Sequence, residues 1–365
     1  MQKLDIKVPG TAETSYRVTI GSDFLLSVWS ELDAAWAGRP KFVVTDENVA
    51  AAGLLDRLLQ GRSAPAYVIR PAGEQSKNIA TAVAIVELME KVYLGRDSLV
   101  VALGGGTVGD IGGFAAAIFK RGVPVVQIPT TTLAQADSAI GGKTGVDSSV
   151  SKNAFGAFWH PAAVYVDVGT LRTLDERQYR AGLVESVKHG LIADREYFEF
   201  FEHHLDAILG RNAGTLETLA RYNCTIKGRV VAEDPQEKNQ RRILNYGHTI
   251  GHAIEAASGY GLLHGEAVAI GMIAAGLIEI ELGLATPDRL DRVQAVLEKL
   301  GAPVKLPPNL AEDKLIDVMR HDKKAVDRWP RFVLLEQLGR VHCENSQYAV
   351  RVSRDVVERI LTKLR

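Results

Sequence analysis

Only two cysteines occur in 365 residues, Cys224 and Cys343, too few for a disulfide scaffold and without the spacing of a metal-binding pair. Neither sign of charge is in excess: 43 Lys and Arg against 44 Asp and Glu leave a formal net charge of −1. A nucleic-acid-binding chain usually carries a basic surplus, so no such partner is expected. No run of about 18 uncharged apolar residues occurs. The longest greasy segment, residues 265–277, carries Glu266 near its start and is followed by Glu279 and Glu281, so it reads as a buried helix and not a membrane span. The opening Met1-Gln2-Lys3-Leu4-Asp5 lacks the apolar core of a secretory signal. Internal repeats and low-complexity tracts are also missing. Together these absences lead us to expect a cytoplasmic enzyme with no membrane partner.

What is present is ample core. At 39.6 kDa and 46% hydrophobic residues, folding should bury about three quarters of the extended chain's surface, and two domains are the expectation for this length. Residues 41–45, 66–69, 99–103, 123–128 and 164–166 are short β-branched runs that read as buried strands. Between them, residues 50–60, 76–94 and 108–119 have helical spacing. This alternation predicts a mostly parallel sheet with helices on its faces. Residues 4–8 and 16–20 alternate polar and apolar instead, as an antiparallel hairpin would. Past residue 170 strand signals nearly vanish, save a late run at 331–335. The expected architecture is a Rossmann-like α/β domain over 1–170 and a helical domain over 171–365.

Strand 99–103 runs directly into Gly104-Gly105-Gly106-Thr107-Val108-Gly109-Asp110. Gly104, Gly106 and Gly109 satisfy G-x-G-x-x-G in a strand–turn–helix setting, where backbone N–H groups approach a pyrophosphate. The acidic residue expected at the end of the next strand is missing, because Pro129-Thr130-Thr131 follows it. The segment is therefore a phosphate cradle that departs from the usual dinucleotide fingerprint. Asp46, closing the first parallel strand, is either a ribose ligand or a helix N-cap. His248 and His252 lie four apart on one helix face, with Thr249 where a zinc protease would carry its Glu. His264 and Glu185 bring the candidates to three imidazoles and a carboxylate, and two imidazoles with one carboxylate would make a zinc site with an open position. Lys143 and the pair Lys152-Asn153 stand in a Gly/Ser-rich stretch, preceded by Asp137.

The chain resembles the 3-dehydroquinate synthases of the sugar phosphate cyclase superfamily across nearly its full length. The resemblance is carried by Gly73-Glu74 with Lys77, by the glycine loop, and by Pro129 to Ser138. It extends to Gly141-Gly142-Lys143-Thr144, Lys152-Asn153, Asn245 to Glu255 and His264-Gly265-Glu266-Ala267-Val268. It implies NAD contacts from Asp46, Asn48, Glu74, Lys77, Gly106, Thr107, Val108, Gly109, Asp110, Thr130, Thr131, Lys143, Lys152, Thr170, Leu171, Arg172 and Thr173. It implies Glu185, His248 and His264 as ligands of zinc, with cobalt as the alternative. Asp137, Lys143, Lys188, Lys227, Arg241, Asn245 and His252 match catalytic and substrate-holding positions. Arg121, Lys152, Asn153 and one of Lys323 and Lys324 match positions that hold the substrate's phosphate or carboxylate. The implied reaction converts 3-deoxy-D-arabino-heptulosonate 7-phosphate into 3-dehydroquinate and phosphate, a step of the shikimate pathway. NAD is reduced and regenerated within each turnover, so the class is a carbon–oxygen lyase, and a homodimer is implied. His189 stands where the family commonly has Tyr. Synthases of aminodehydroquinate and other sugar phosphate cyclases share these motifs. A metal-dependent polyol dehydrogenase shares the two-domain plan but would need fewer phosphate-side cations. With no extra general base evident beside those cations, the substrate phosphate itself is expected to take the proton in the elimination.

Overall fold

The computed structural model describes residues 15–259, 261–320 and 329–365. Its organising element is a six-stranded sheet built from β1 (Arg17–Gly21), β2 (Lys41–Asp46), β3 (Ala66–Ile69), β4 (Leu99–Gly104), β5 (Val125–Pro129) and β8 (Ala163–Asp167). The spatial order is β1-β8-β5-β4-β2-β3, and every pairing is parallel. The central strands are buried almost end to end because helices cover both faces. Phe42, Val44, Val100 and Ala102 pack against α4 (Ile79–Lys91) and α5 (Gly106–Ile118). Their neighbours Val43, Leu99, Val101 and Leu103 pack the other way, on Leu25, Val28, Trp29 and Leu32 of α1 (Leu25–Ala35).

The chain leaves β2 outward to β3, then returns to β4 on the opposite side of β2 and continues to β5 and β8. The crevice at the carboxyl ends of β2 and β4 is therefore the topological switch point, where open α/β sheets bind ligands. Asp46 and the glycine loop both open onto it.

Three expectations need correcting. Arg17–Gly21 pairs in parallel with Ala163–Asp167, not in a hairpin; residues 4–8, its expected partner, lie outside the described residues. Alternation reports one covered face and is silent on the direction of the neighbour, which suits an edge strand equally well. The helix expected over 50–60 is divided into α2 (Glu47–Ala51) and α3 (Leu54–Leu59) by Gly53, whose φ of +73° no helix continues through. The late run at 331–335 contributes to two separate ladders, Arg331–Phe332 with Val350–Arg351 and Leu335–Gln337 with Arg340–Val341. A hairpin of β6 (Lys143–Val146) and β7 (Phe155–Phe158), which the Gly/Ser-rich composition hid, packs on α5 and carries Asp147 to Lys77 and Asn78.

Beyond β8 come α6 (Glu176–Ala193), α7 (Arg195–His203), α8 (Leu205–Leu209), α9 (Ala213–Glu233), α10 (His248–Ala257) and α11 (His264–Glu281). Three more helices follow: α12 (Pro287–Lys299), α13 (Glu312–Arg320) and α14 (Arg354–Lys363). Asp175 caps α6 by accepting from the N–H groups of Arg177 and Gln178, and Asn212 caps α9 through Thr215. Helix α11 is buried along most of its length, as its composition predicted, and packs most extensively on α10. No described helix is long and apolar enough to cross a membrane.

Candidate active site and metal centre

Glycine permits the close packing that assembles the helical side of the site. A Cβ on Gly265 would lie 1.8 Å from the carbonyl oxygen of Ala181, and one on Gly271 would lie 1.9 Å from that of Gly247. Helix α11 can therefore press its first turn onto α6 and its middle onto the start of α10. The first residue of α10, His248, and the first of α11, His264, are thereby brought to Glu185 in the middle of α6. Both imidazole Nε2 atoms lie 3.6 Å from Glu185 Oε1. Ligands at about 2.0–2.1 Å from a tetrahedral zinc are separated by about 3.4 Å, so this spacing suits a shared ion better than a direct hydrogen bond.

The surrounding bonds prepare these atoms. His248 Nδ1 lies 3.0 Å from the carbonyl oxygen of Tyr246, so its N–H points there and Nε2 carries the lone pair. His264 Nδ1 faces Glu255 Oε2 at 3.3 Å, the carboxylate–imidazole support common behind metal ligands. Glu185 Oε1 is buried and has no hydrogen-bond partner, while Oε2 is bonded to the Lys188 ammonium. Burial would raise the Glu185 carboxyl, but Lys188, His248 and His264 hold it well below the ordinary range. Burial and the nearby Lys188 push His248 well down, toward the neutral form. Burial alone would lower His264 as well, yet the Glu185 and Glu255 carboxylates prevail and lift it to about 9. An orphaned carboxylate oxygen between two converging imidazoles fits a divalent metal.

That shift gives a pH prediction with two opposite signs. His264 must lose its Nε2 proton to bind metal, so about one proton should be released per ion. Apparent metal affinity should rise about tenfold between about pH 7 and about pH 8, as read by competition with a chromogenic chelator. Stability of the metal-free protein should run the other way. A raised folded-state value contributes fully below the ordinary 6.5 and is lost as pH climbs through about 9. A pH-independent metal affinity in this window would refute the assignment of His264.

The nucleotide side is built on the sheet. Gly105 caps α5, whose first N–H groups have no intrahelical partner and face the switch point. A Cβ on Gly105 would meet Thr131 Cγ2 at 2.9 Å and one on Gly109 would meet Gln127 Oε1 at 2.8 Å, so backbone approach here depends on glycine. Thr130 donates its N–H to the Gly104 carbonyl at 2.9 Å, tying the exit of β5 to the loop. Glu74, Lys77, Thr107 and Asp110 gather beside it: Thr107 Oγ1 donates to Glu74 Oε2 at 3.3 Å and Lys77 pairs with Asp110 at 2.7 Å. The free helix N-terminus at the switch point fits a dinucleotide's pyrophosphate.

Other expected cofactor positions are placed differently. Asp46 Oδ1 accepts from Val49 N at 2.9 Å and caps α2, and Asn48 is exposed on that helix. Val108 is packed in the core. Thr170 Oγ1 donates to the Asp167 carbonyl at 2.7 Å, Leu171 lies in the core, and Thr173 Oγ1 donates back to Thr170. Arg172 pairs with Asp23.

Between the two sides lies a cationic cluster. Lys227 of α9 pairs with Asp137 at 2.6 Å, and Lys188 with Glu185. Asp137 sits on a π-helical turn, Ala134–Ser138, a local widening that redirects its carboxylate toward α6 and α9. Burial would raise Asp137, but Lys227 and Lys188 hold it far below the usual carboxylate range. Arg241 is buried and donates to the carbonyls of Pro235 and Gly141 at 2.8 and 3.0 Å, leaving Nε without a partner. His252 stacks edge-on to His248, ring centres 5.1 Å apart. Lys152 bridges the two sides, 3.0 Å from Glu74 and 2.9 Å from Glu255, and Asn153 N donates to Asp147.

Two carboxylates escaped the sequence reading. Glu255 lies seven residues beyond His248 on the same helix face, a signal available in the sequence. Glu237 pairs with Lys143 and accepts from Asn245 Nδ2 at 2.9 Å. It sets a second carboxylate, besides Asp137, among the cations, and its loop gave no periodic signal. Arg121 ends a turn after α5, about 20 Å of helix away from the glycine loop, and makes no hydrogen bond or ion pair among the described residues. Lys323 and Lys324 lie outside the described residues.

Comparison with known proteins agrees over most of the chain. Residues 67–181 match the family 3-dehydroquinate synthase N-terminal, and residues 182–325 match 3-dehydroquinate synthase C-terminal. The chain is 44% identical over 331 residues to the 3-dehydroquinate synthase of Desulforamulus reducens, covering 90% of this chain and 92% of that one. A solved 2-deoxy-scyllo-inosose synthase, complexed with carbaglucose-6-phosphate, NAD+ and Co2+, superposes with a TM-score of 0.86 at 29% identity, covering 97% of this chain and 98% of that one. The 2-epi-5-epi-valiolone synthase of Streptomyces hygroscopicus subsp. jinggangensis, solved with NAD+ and Zn2+, superposes at 0.87 and 29% identity, covering 98% and 99%. By its motifs, its fold and its similarity to these relatives, the chain belongs to the 3-dehydroquinate synthase family.

Proposed function

We propose that the chain converts 3-deoxy-D-arabino-heptulosonate 7-phosphate into 3-dehydroquinate and phosphate. In this reading residues 1–170 bind NAD and residues 171–365 bind metal and substrate, within a cytoplasmic homodimer. The observation that carries the reading is convergence: the imidazole–carboxylate corner at Glu185 and the glycine loop are joined through Glu255, Lys152 and Glu74. When bound, NAD supplies transient hydride acceptance, and the metal supplies polarisation of substrate hydroxyls.

The chain's own groups supply the rest. Lys188, Lys227 and Arg241 form a fixed positive wall suited to a phosphate and a carboxylate. Asp137, kept ionised, accepts from a hydroxyl donor. Lys143 and Asn245, both held by Glu237, border the same space, with His252 at the metal side and Lys152 and Asn153 at the nucleotide side. Arg121, remote within one chain, acts here only from a second copy. Free Cys224 and Cys343 suit a reducing compartment.

The test is phosphate release from the heptulosonate phosphate with zinc and a small amount of NAD, following NADH in parallel. We expect many phosphates per NAD and no accumulating NADH. NADH formed in proportion to substrate, without phosphate, would make the protein a polyol dehydrogenase. Silence in both channels would direct attention to the amino-substituted substrate or another cyclase substrate.

A further inference from the structure

We propose that His189 reads a hydroxyl of the bound polyol phosphate, accepting its hydrogen bond at Nε2 beside Asp137. The inference rests on the function proposed above and adds a substrate-reading residue to it. His189 follows Lys188 on α6 and is fully buried. Its Nδ1 lies 3.0 Å from Asn223 Oδ1, which also accepts from Tyr197 Oη at 2.9 Å, while Asn223 Nδ2 donates to Ser186 Oγ at 2.9 Å. In this network Asn223 offers its oxygen to two donors and its amide to Ser186. The assignment puts the His189 proton on Nδ1 and leaves Nε2 a bare acceptor. Burial and the charge of Lys188 push His189 down to about 4, which agrees with a neutral ring.

Nε2 has no partner and points at Asp137 Oδ1 across 3.9 Å, too far for a hydrogen bond. Asp137 Oδ1 already faces the Lys227 ammonium at 2.6 Å, so of the two facing acceptors His189 Nε2 is the one that lacks a donor. An unmet buried acceptor is costly, so the corner is built to receive one. Asp137, Glu185 and His189 are also close enough to share a cation. Both carboxylates, however, are already paired with ammonium groups, from Lys227 and Lys188. A neutral donor suits that charge balance better than a second metal. The Asp137 side chain is 28% exposed while its Oδ1 and His189 Nε2 are buried, so a substrate hydroxyl would reach Nε2 along the Asp137 carboxylate.

The experiment compares wild type with His189→Asn, which keeps a donor toward Asn223 and removes the atom at Nε2. Both are assayed on the heptulosonate phosphate and on analogues each lacking one hydroxyl. We expect His189→Asn to raise KM roughly 10–100-fold on the parent substrate with a smaller change in kcat. For one analogue the two proteins should become equal. A loss of the same size on every analogue would mean that Nε2 meets water or serves packing, and would overturn the proposal. Independently of any variant, nitrogen NMR of the wild-type imidazoles should show an unprotonated Nε2 that shifts when the phosphonate analogue of the substrate is added. A protonated Nε2, an unmoved resonance, or two metal ions bound per chain would each overturn it. Wild type that turns over none of these substrates would count against the proposed function, a result distinct from all of these.

Discussion

Replacing His248 with alanine should abolish turnover, by at least about a thousandfold, while NAD affinity stays within about twofold. The reason is spatial. His248 Nε2 is one of two imidazole nitrogens 3.6 Å from the orphaned Glu185 oxygen, and its Nδ1 is committed to Tyr246. Removing the ring leaves one imidazole and a carboxylate, too few ligands to hold zinc firmly. The glycine loop stands on β4 and α5, whereas His248 opens α10 on the helical side. Isothermal titration with NAD and chelator competition with zinc separate the two effects. Unchanged turnover in the metal-depleted variant would remove Glu185, His248 and His264 from the chemistry.

The second large effect concerns Asp137 and Lys227. Burial disfavours the Lys227 ammonium, and Asp137 offsets this through a 2.6 Å ion pair. Asp137→Ala strands that ammonium with Lys188 and Arg241 nearby. Breaking one side of such a pair costs about 3 kcal/mol. At about 2.1 cal/mol/K of unfolding entropy per residue over 365 residues, Tm should fall by about 4 °C. Adding Lys227→Met removes the stranded charge, so the double variant should regain most of the lost Tm but none of the lost turnover. Calorimetry and the phosphate assay on the three variants check this. A double variant no more stable than Asp137→Ala would show that the pair is not the source of the loss.

These two predictions mark how far the sequence could be read. Strands such as 41–45 and 99–103 were legible because burial on both faces requires continuous apolar runs. The glycine loop was legible because close backbone approach restricts the residue type. Glu185, His248 and His264 were named together from spacing and resemblance, and the helices do bring them together. What pairs across distant elements was not legible. Glu237 meets Lys143 from 94 residues away, and His189 meets Asn223 from 34. Nothing local in those segments records the encounter. Asp46 could be read as ribose ligand or cap, and its bond to Val49 makes it a cap in the structure. The direction of β1 was invisible for a related reason: alternation describes a strand's faces and leaves its partner undefined.

Lys152 has one consequence for anyone recombining this protein with its relatives. It belongs to the β6–β7 hairpin, yet it shares its charge between Glu74 beside the glycine loop and Glu255 of α10. A chimera spliced at the junction of sheet and helices inherits that lysine from one parent and its second carboxylate from the other. Parents that both keep this acid–base–acid alignment preserve the bridge when halves are exchanged. A donor lacking the acidic residue on α10 would deliver an intact metal-binding half whose His264 has lost its support.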